Sequence, residues 1–139
     1  MRFWDSSGLV PLLVEESHSS RTQALYQGDP DVVVWWGTEV DCVGAIARRE
    51  RVGARPGATE DALRRLADVA GRWQEVAPVP AVRSAARRAV QVHELRAADA
   101  FQLAAALAAA EGSPSTLELV TLDDRLALAA RREGFTVLP

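Results

Sequence analysis

Four acidic residues stand where apolar runs give way to turns or helices: Asp5 after Arg2-Phe3-Trp4, Glu39 just past Trp36-Gly37-Thr38, Asp99 ahead of an alanine- and leucine-rich run, and Asp123 two residues beyond Thr121. Carboxylates from separate segments that converge on one cleft repel one another, and they are tolerated chiefly when a cation neutralises them. Ligands that are all oxygen favour hard ions such as Mg²⁺ or Mn²⁺ over zinc. Two of the four have rivals close by. Asp41 lies two residues after Glu39, and residues two apart on a helix point in roughly opposite directions, so only one of them can face a site. Asp124 competes with Asp123 in the same way, as a solvated acid or a neighbour of the helix cap. Asp5 also suits a plain helix cap beside Ser6, and Glu39 suits the first turn of a helix on electrostatic grounds alone. Asp99 is the hardest to explain structurally, because an acid leading into a core-facing run is out of place there.

Other chemistries find little support. His18 and His93 are the only histidines, and nothing clusters with them in sequence to suggest a zinc site or a general base; both are expected at the surface or partly packed. Cys42 is the single cysteine, without neighbours that mark a nucleophile, and packing is its expected role. All 16 Lys+Arg residues are arginine, which removes a Walker-type phosphate loop, Schiff-base chemistry and lysine-dependent phosphotransfer. Arginine does suit bidentate contact with phosphate, and Arg48, Arg49, Arg51 and Arg55 could rim an acidic centre, or equally form a solvated face. The net charge of -3 is not that of a typical nucleic-acid binder. Trp4, Trp35, Trp36 and Trp73 sit in apolar segments and are expected in the core.

The elements that would have to position the acids can be read from pattern. Arg2 to Asp5 reads as a strand entering the turn-forming Ser6-Ser7-Gly8, followed by Leu9 to Val14 and a short helix over Ser17 to Tyr26 closed by Gly28 and Asp29-Pro30. Asp31 to Trp36 is a β-branched and aromatic run expected to be a buried strand. Gly37 and Thr38 then break and cap a helix from Glu39 to Arg51. Val52 to Ala58 reads as a loop, and apolar residues at helical spacing predict one long helix from Ala58 to Val76, ended by Pro78 and Pro80. Helices over Ala81 to Val92 and Leu95 to Glu111 follow, stopped by Gly112-Ser113-Pro114. Leu117 to Thr121 predicts a strand, Asp123 to Glu133 a helix capped by Gly134, and Phe135 to Leu138 a final strand. Strand and helix interleave at both ends of the chain. This predicts an α/β fold with a mostly parallel central sheet and helices on both faces, with ligands bound outside the carboxyl ends of the strands. At 139 residues, 48% of them hydrophobic and 25% charged, residues 1–139 are expected to form one domain. A cytoplasmic location is expected, since no signal-peptide pattern opens the chain and charges interrupt every apolar stretch.

Four of these segments also carry a family resemblance. Phe3-Trp4-Asp5-Ser6-Ser7, Thr38-Glu39-Val40 with Ala45-Ile46-Ala47-Arg48, Leu95 to Ala100 with Leu103 to Leu107, and Leu119 to Asp123 with Gly134-Phe135 together resemble the acidic motifs of PIN-domain ribonucleases of the VapC group. The resemblance implies a three-layer α/β/α PIN-like fold and selects Glu39 over Asp41 and Asp123, through its Thr-x-Asp pattern, over Asp124. It further implies that Asp5, Glu39, Asp99 and Asp123 bind Mg²⁺ or Mn²⁺ and that the reaction is endonucleolytic cleavage of RNA. Metals about 3.5–4 Å apart can form hydroxide from bound water and stabilise the leaving oxygen of a phosphodiester. A VapB-like antitoxin with an arginine on its tail is the partner this resemblance suggests. The chain departs from the pattern at Gln102, where relatives often carry histidine. A helical hairpin over Ala58 to Val92 is expected to offer apolar surface to that partner or to a homodimer.

Overall fold

A computed structural model describes residues 1–139. Five short strands, β1 (Arg2–Trp4), β2 (Val32–Trp35), β3 (Gln74–Val76), β4 (Glu118–Val120) and β5 (Thr136–Leu138), pair in parallel in the order β3-β2-β1-β4-β5. Parallel neighbours need crossovers, and seven helices supply them. They are α1 (Ser6–Leu13), α2 (Ser19–Gly28), α3 (Thr38–Arg51), α4 (Ala58–Ala70), α5 (Pro80–Val92), α6 (Ala97–Ala109) and α7 (Asp124–Glu133).

Side chains alternate across a strand, so each strand feeds two cores. Phe3, Val33 and Leu119 enter one layer with α5, α6 and α7, where Val82, Ala86, Leu103, Ala104, Leu126 and Ala130 are buried. Trp4, Val32, Val34 and Val120 enter the other, against Leu9 and Leu13 of α1, Cys42 and Ile46 of α3, and Ala62 and Leu66 of α4. The result is three layers, α/β/α. The alanine-rich α6 is the central element of its face: Ala100, Leu103, Ala104, Ala105 and Ala106 are all buried, and small side chains let it approach the sheet and α5 closely.

One element differs from expectation. The helix predicted over Ala58 to Val76 ends at Ala70, where the Gly71 N–H still donates to the Ala67 carbonyl at 3.0 Å, and residues 74–76 instead pair with Val33, Val34 and Trp35 as β3. β3 is an edge strand whose Gln74 and Glu75 are exposed, so it lacks the apolar run that marks a buried parallel strand. Trp73 and Val76 happen to continue the helical spacing of α4. Consequently α4 and α5 do not form a hairpin: β3 separates them and they pack on opposite faces of the sheet. The remaining predicted elements form with ends displaced by a few residues.

Candidate active site

The strand order places β1 beside both β2 and β4, so the chain reverses its direction of travel across the sheet at β1. Crossovers leaving the carboxyl ends of β1 and β4 diverge to opposite faces and open a crevice there. Asp5 follows β1 and Asp123 follows β4, so both leave the sheet at that carboxyl end.

Asp5 is 4% exposed and caps α1. Its Oδ1 accepts from the Ser7 N–H at 2.8 Å and the Ser6 hydroxyl at 3.2 Å; its Oδ2 accepts from the Ser7 hydroxyl at 2.7 Å and from Thr121 Oγ1. The Leu122 N–H donates to Ser7 Oγ at 2.8 Å and the Asp123 N–H to Thr121 Oγ1 at 3.0 Å, which ties the ends of β1 and β4 together through Asp5. Gly8 permits this closeness, since a Cβ there would stand 3.0 Å from the Val120 carbonyl oxygen.

A cleft of about 320 Å³ opens from Asp5, lined by Ser6, Ser7 and Val10 of α1, Val40, Asp41, Ala45 and Arg48 of α3, and Ala98, Asp99 and Gln102 of α6. Helical spacing explains the choice of side chains: Asp41, Ala45 and Arg48 lie on one stripe of α3, and Asp99 and Gln102, three apart, on one stripe of α6. Larger hollows along α1 and α4 are lined by mixed charges, some already held in ion pairs: Arg55 with Asp61 within the lining, and Arg49 with Glu16 outside it. In the small cleft Asp5, Asp41 and Asp99 share the walls with Arg48, and none of the three forms an ion pair.

The electrostatics bear this out. Burial, reinforced by the nearby charges of Asp123 and Asp5, holds the Asp99 carboxyl above its ordinary value. Burial does the same to Asp41, with Asp5 adding repulsion while a hydrogen bond from Gln102 and the charge of Arg48 oppose it. Burial and the charges of Asp41, Asp5 and Glu39 push the Cys42 thiol up to about 12, which leaves it an inert core residue.

Of the four acids singled out in the sequence, the structure brings Asp5 and Asp99 into the cleft. Asp123 stands near enough to perturb Asp99, while its Oδ1 accepts from the Leu126 N–H at 2.7 Å and caps α7. Glu39 is exposed and does not line the cleft; α3 delivers Asp41 instead, one half-turn further round the helix. The three-residue string Thr38-Glu39-Val40 favours Glu39, whereas the burial of Thr38, Cys42 and Ile46 sets which side of α3 faces inward. Asp124 is exposed at the first position of α7. His93 is buried rather than superficial, with Nε2 2.7 Å from Glu133 Oε1, and it does not line the cleft. Of the tryptophans, Trp4 is fully buried, Trp35 stacks on Phe101, and Trp36, expected in the core, is 57% exposed.

The donor set suits a hard cation: aspartate oxygens and serine hydroxyls, with no sulfur or imidazole. No three His, Cys, Asp or Glu side chains stand close enough to grip an ion directly between them. Mg²⁺ does not require that, because it retains several waters and is usually held by one or two carboxylates together with substrate phosphates. Asp5, Asp41 and Asp99 fit such a partly hydrated ion.

No protein-family model matches the chain, and no curated protein matches it in sequence. Solved structures do match. The chain is similar to PAE2754 from Pyrobaculum aerophilum (TM-score 0.66, 21% identity, 92% of this chain and 83% of that one). It is similar also to FitAcB from Neisseria gonorrhoeae (TM-score 0.65, 20% identity, 100% and 97%) and to FitAB bound to the IR36 DNA fragment (TM-score 0.67, 17% identity, 99% and 94%). The fold is PIN-like: three layers around a five-stranded, all-parallel sheet.

Proposed function

We propose that the protein is a metal-dependent endoribonuclease, the toxin half of a VapC-like toxin–antitoxin pair. The observation that carries the nuclease reading is the convergence of Asp5, Asp41 and Asp99, from three separate elements, on one cleft at the crossover point of a parallel sheet. The carboxyls of Asp41 and Asp99, both held above their ordinary pKa, mark a site that keeps negative charge at a cost, which a bound cation would remove. Mg²⁺ or Mn²⁺ there would supply an acidic water and neutralise charge building on a phosphodiester.

The chain's own residues divide the remaining work. Asp5 is immobilised by its four donors and serves as the fixed reference point of the site. Asp41 and Asp99 face it from α3 and α6, and Asp123 adds its charge to that felt by Asp99. Arg48, on the cleft wall, is placed to hold a phosphate oxygen, with which a guanidinium makes paired contacts. The toxin assignment rests on the sequence resemblance to the VapC group, and the likeness of the fold to FitAB and FitAcB is compatible with it. A VapB-like antitoxin and a homodimer belong to the same reading.

The test is to incubate the purified protein with a cellular RNA pool in Mg²⁺, in Mn²⁺ and in chelator, beside Asp99→Asn. Metal-dependent cleavage that the variant loses supports the reading. Cleavage of single-stranded or duplex DNA but not RNA would move the assignment to a DNA nuclease. A folded protein that cuts neither with either metal, yet co-purifies with a partner, would identify the acidic cleft as a non-catalytic seat for a partner's arginine.

A further inference from the structure

Gln102 is 3% exposed, the one polar side chain in the buried stretch of α6, among Ala100, Leu103, Ala104, Ala105 and Ala106. A buried amide in such a setting must have its hydrogen bonds met within the protein. Both N–H groups of Gln102 are used on α3: Nε2 donates to Thr38 Oγ1 at 3.2 Å and to Asp41 Oδ2 at 3.2 Å. Thr38, itself fully buried, also lies with its hydroxyl 3.4 Å from Gln102 Oε1.

Two pairs spaced three residues apart therefore interlock: Thr38 and Asp41 on α3, Asp99 and Gln102 on α6. The helix that presents one cleft acid also reaches across and holds another. Asp41 accepts no other side-chain hydrogen bond, in contrast to the four donors around Asp5. Without Gln102 its carboxylate would be free to rotate on α3.

We propose that Gln102 is a positioning residue, whose buried amide, registered on Thr38, fixes the Asp41 carboxylate at a set distance from Asp99 for cation binding. This rests on the reading of the cleft as a metal-dependent site. Gln102 acts through Asp41 and needs no contact with the cation or the RNA. Outer-sphere groups of this type change metal affinity by about 10–100-fold when removed, because they orient the ligand they touch.

The experiment is a Mn²⁺ titration of the full chain without RNA, followed by calorimetry or the loss of free-ion EPR signal. It uses the parent, Gln102→Met, Asp41→Asn and the double variant, with the fold checked by circular dichroism. Methionine matches the length of glutamine and packs in an apolar core but donates no hydrogen bond. Gln102→Met is expected to weaken Mn²⁺ binding by about 10-fold or more in the parent. In the Asp41→Asn background the same change should do much less, because the residue it acts through is already disabled. Gln102→His, which restores one N–H donor, should recover part of the loss. If Gln102→Met does not fold, Thr38→Val tests the same brace from its other end, with a smaller expected loss.

Affinity unchanged in Gln102→Met, or an equal loss in both backgrounds, overturns the positioning role while leaving the metal site standing. A parent that binds no Mn²⁺ removes the metal-site reading and this role with it.

Discussion

Half-buried carboxylates beside one another lose stability to be where they are. The Asp99 carboxyl sits above its ordinary pKa because burial and the charges of Asp123 and Asp5 disfavour its ionised form. The native state therefore holds its proton more tightly than the unfolded chain does, and the penalty is present at neutral pH and relieved as pH falls through the folded value. Asp99→Asn removes that charge. The expected outcome is a melting temperature a few degrees above the parent at pH 7 in chelator, together with loss of nuclease activity by at least two orders of magnitude. A variant both less active and less stable would mean that Asp99 is a structural residue.

The same scale separates Asp41 from Glu39. Only Asp41 lines the cleft, so Asp41→Asn should abolish cleavage and Glu39→Gln should leave it within about two-fold, read from initial rates on one RNA. The sequence holds both candidates but cannot rank them physically, since their difference is one of direction around α3. Which way α3 presents its stripe depends on where Cys42 and Ile46 pack, and that is a property of the second core rather than of the residues near the acids. Asp5 and Asp99 are legible because each sits at a point the topology determines: the end of the first strand, and the start of a helix whose next turns are all core.

Elements in this fold are locked at their ends as much as along their faces. Glu133, in the last turn of α7, receives Arg88 Nη1 from α5 at 2.7 Å and His93, the residue that ends α5, at 2.7 Å. Burial works against its charge, yet these two partners outweigh it and hold the carboxyl below its ordinary 4.5. A depressed carboxyl contributes stability above its unfolded value and loses it as pH falls through the folded one. Glu133→Gln is therefore expected to be less stable than the parent by about 1 kcal/mol at pH 7, with the difference shrinking below about pH 4.5. Chemical denaturation at pH 7 and at pH 3 checks both halves. A gap that stays constant with pH would show packing, and not charge, to be the cause. The next residue, Gly134, closes α7 in the left-handed region at φ 101, and the sequence announces that cap plainly. It cannot announce β3. A three-residue edge strand with Gln74 and Glu75 exposed carries neither the alternation nor the apolar run by which strands are read, and only its pairing with β2 makes it one. Without that strand, pattern alone runs α4 on to Val76 and folds it back against α5 as a helical hairpin, although the two helices belong to different layers.

Considered whole, the molecule gathers partly buried acids without ion-pair partners at the place where the sheet changes its direction of winding, while several acids elsewhere are paired with arginine. Its net charge of -3 is modest, yet the charge of Asp5 is felt by Asp41 and by Asp99, and that of Asp123 by Asp99, while Glu16, Asp61, Glu118 and Glu133 have cationic partners. An ion that binds the folded chain and not the unfolded one stabilises it by RT ln(1 + [L]/Kd), about 2.7 kcal/mol at 100 Kd. For a chain of this size that is an upward shift in melting temperature of several degrees. Mn²⁺ at saturating concentration should produce it at pH 7, and chelator should reverse it. The shift should fade on acidification earlier than a cluster of ordinary aspartates would allow, because Asp41 and Asp99 take up protons at higher pH and a protonated carboxyl is a poor ligand. Asp41→Asn should show little of the shift at any pH. If Mn²⁺ instead raised the melting temperature of Asp41→Asn and the parent equally, the ion would be binding elsewhere on an acidic surface, and the cleft would lose its claim to be the metal centre.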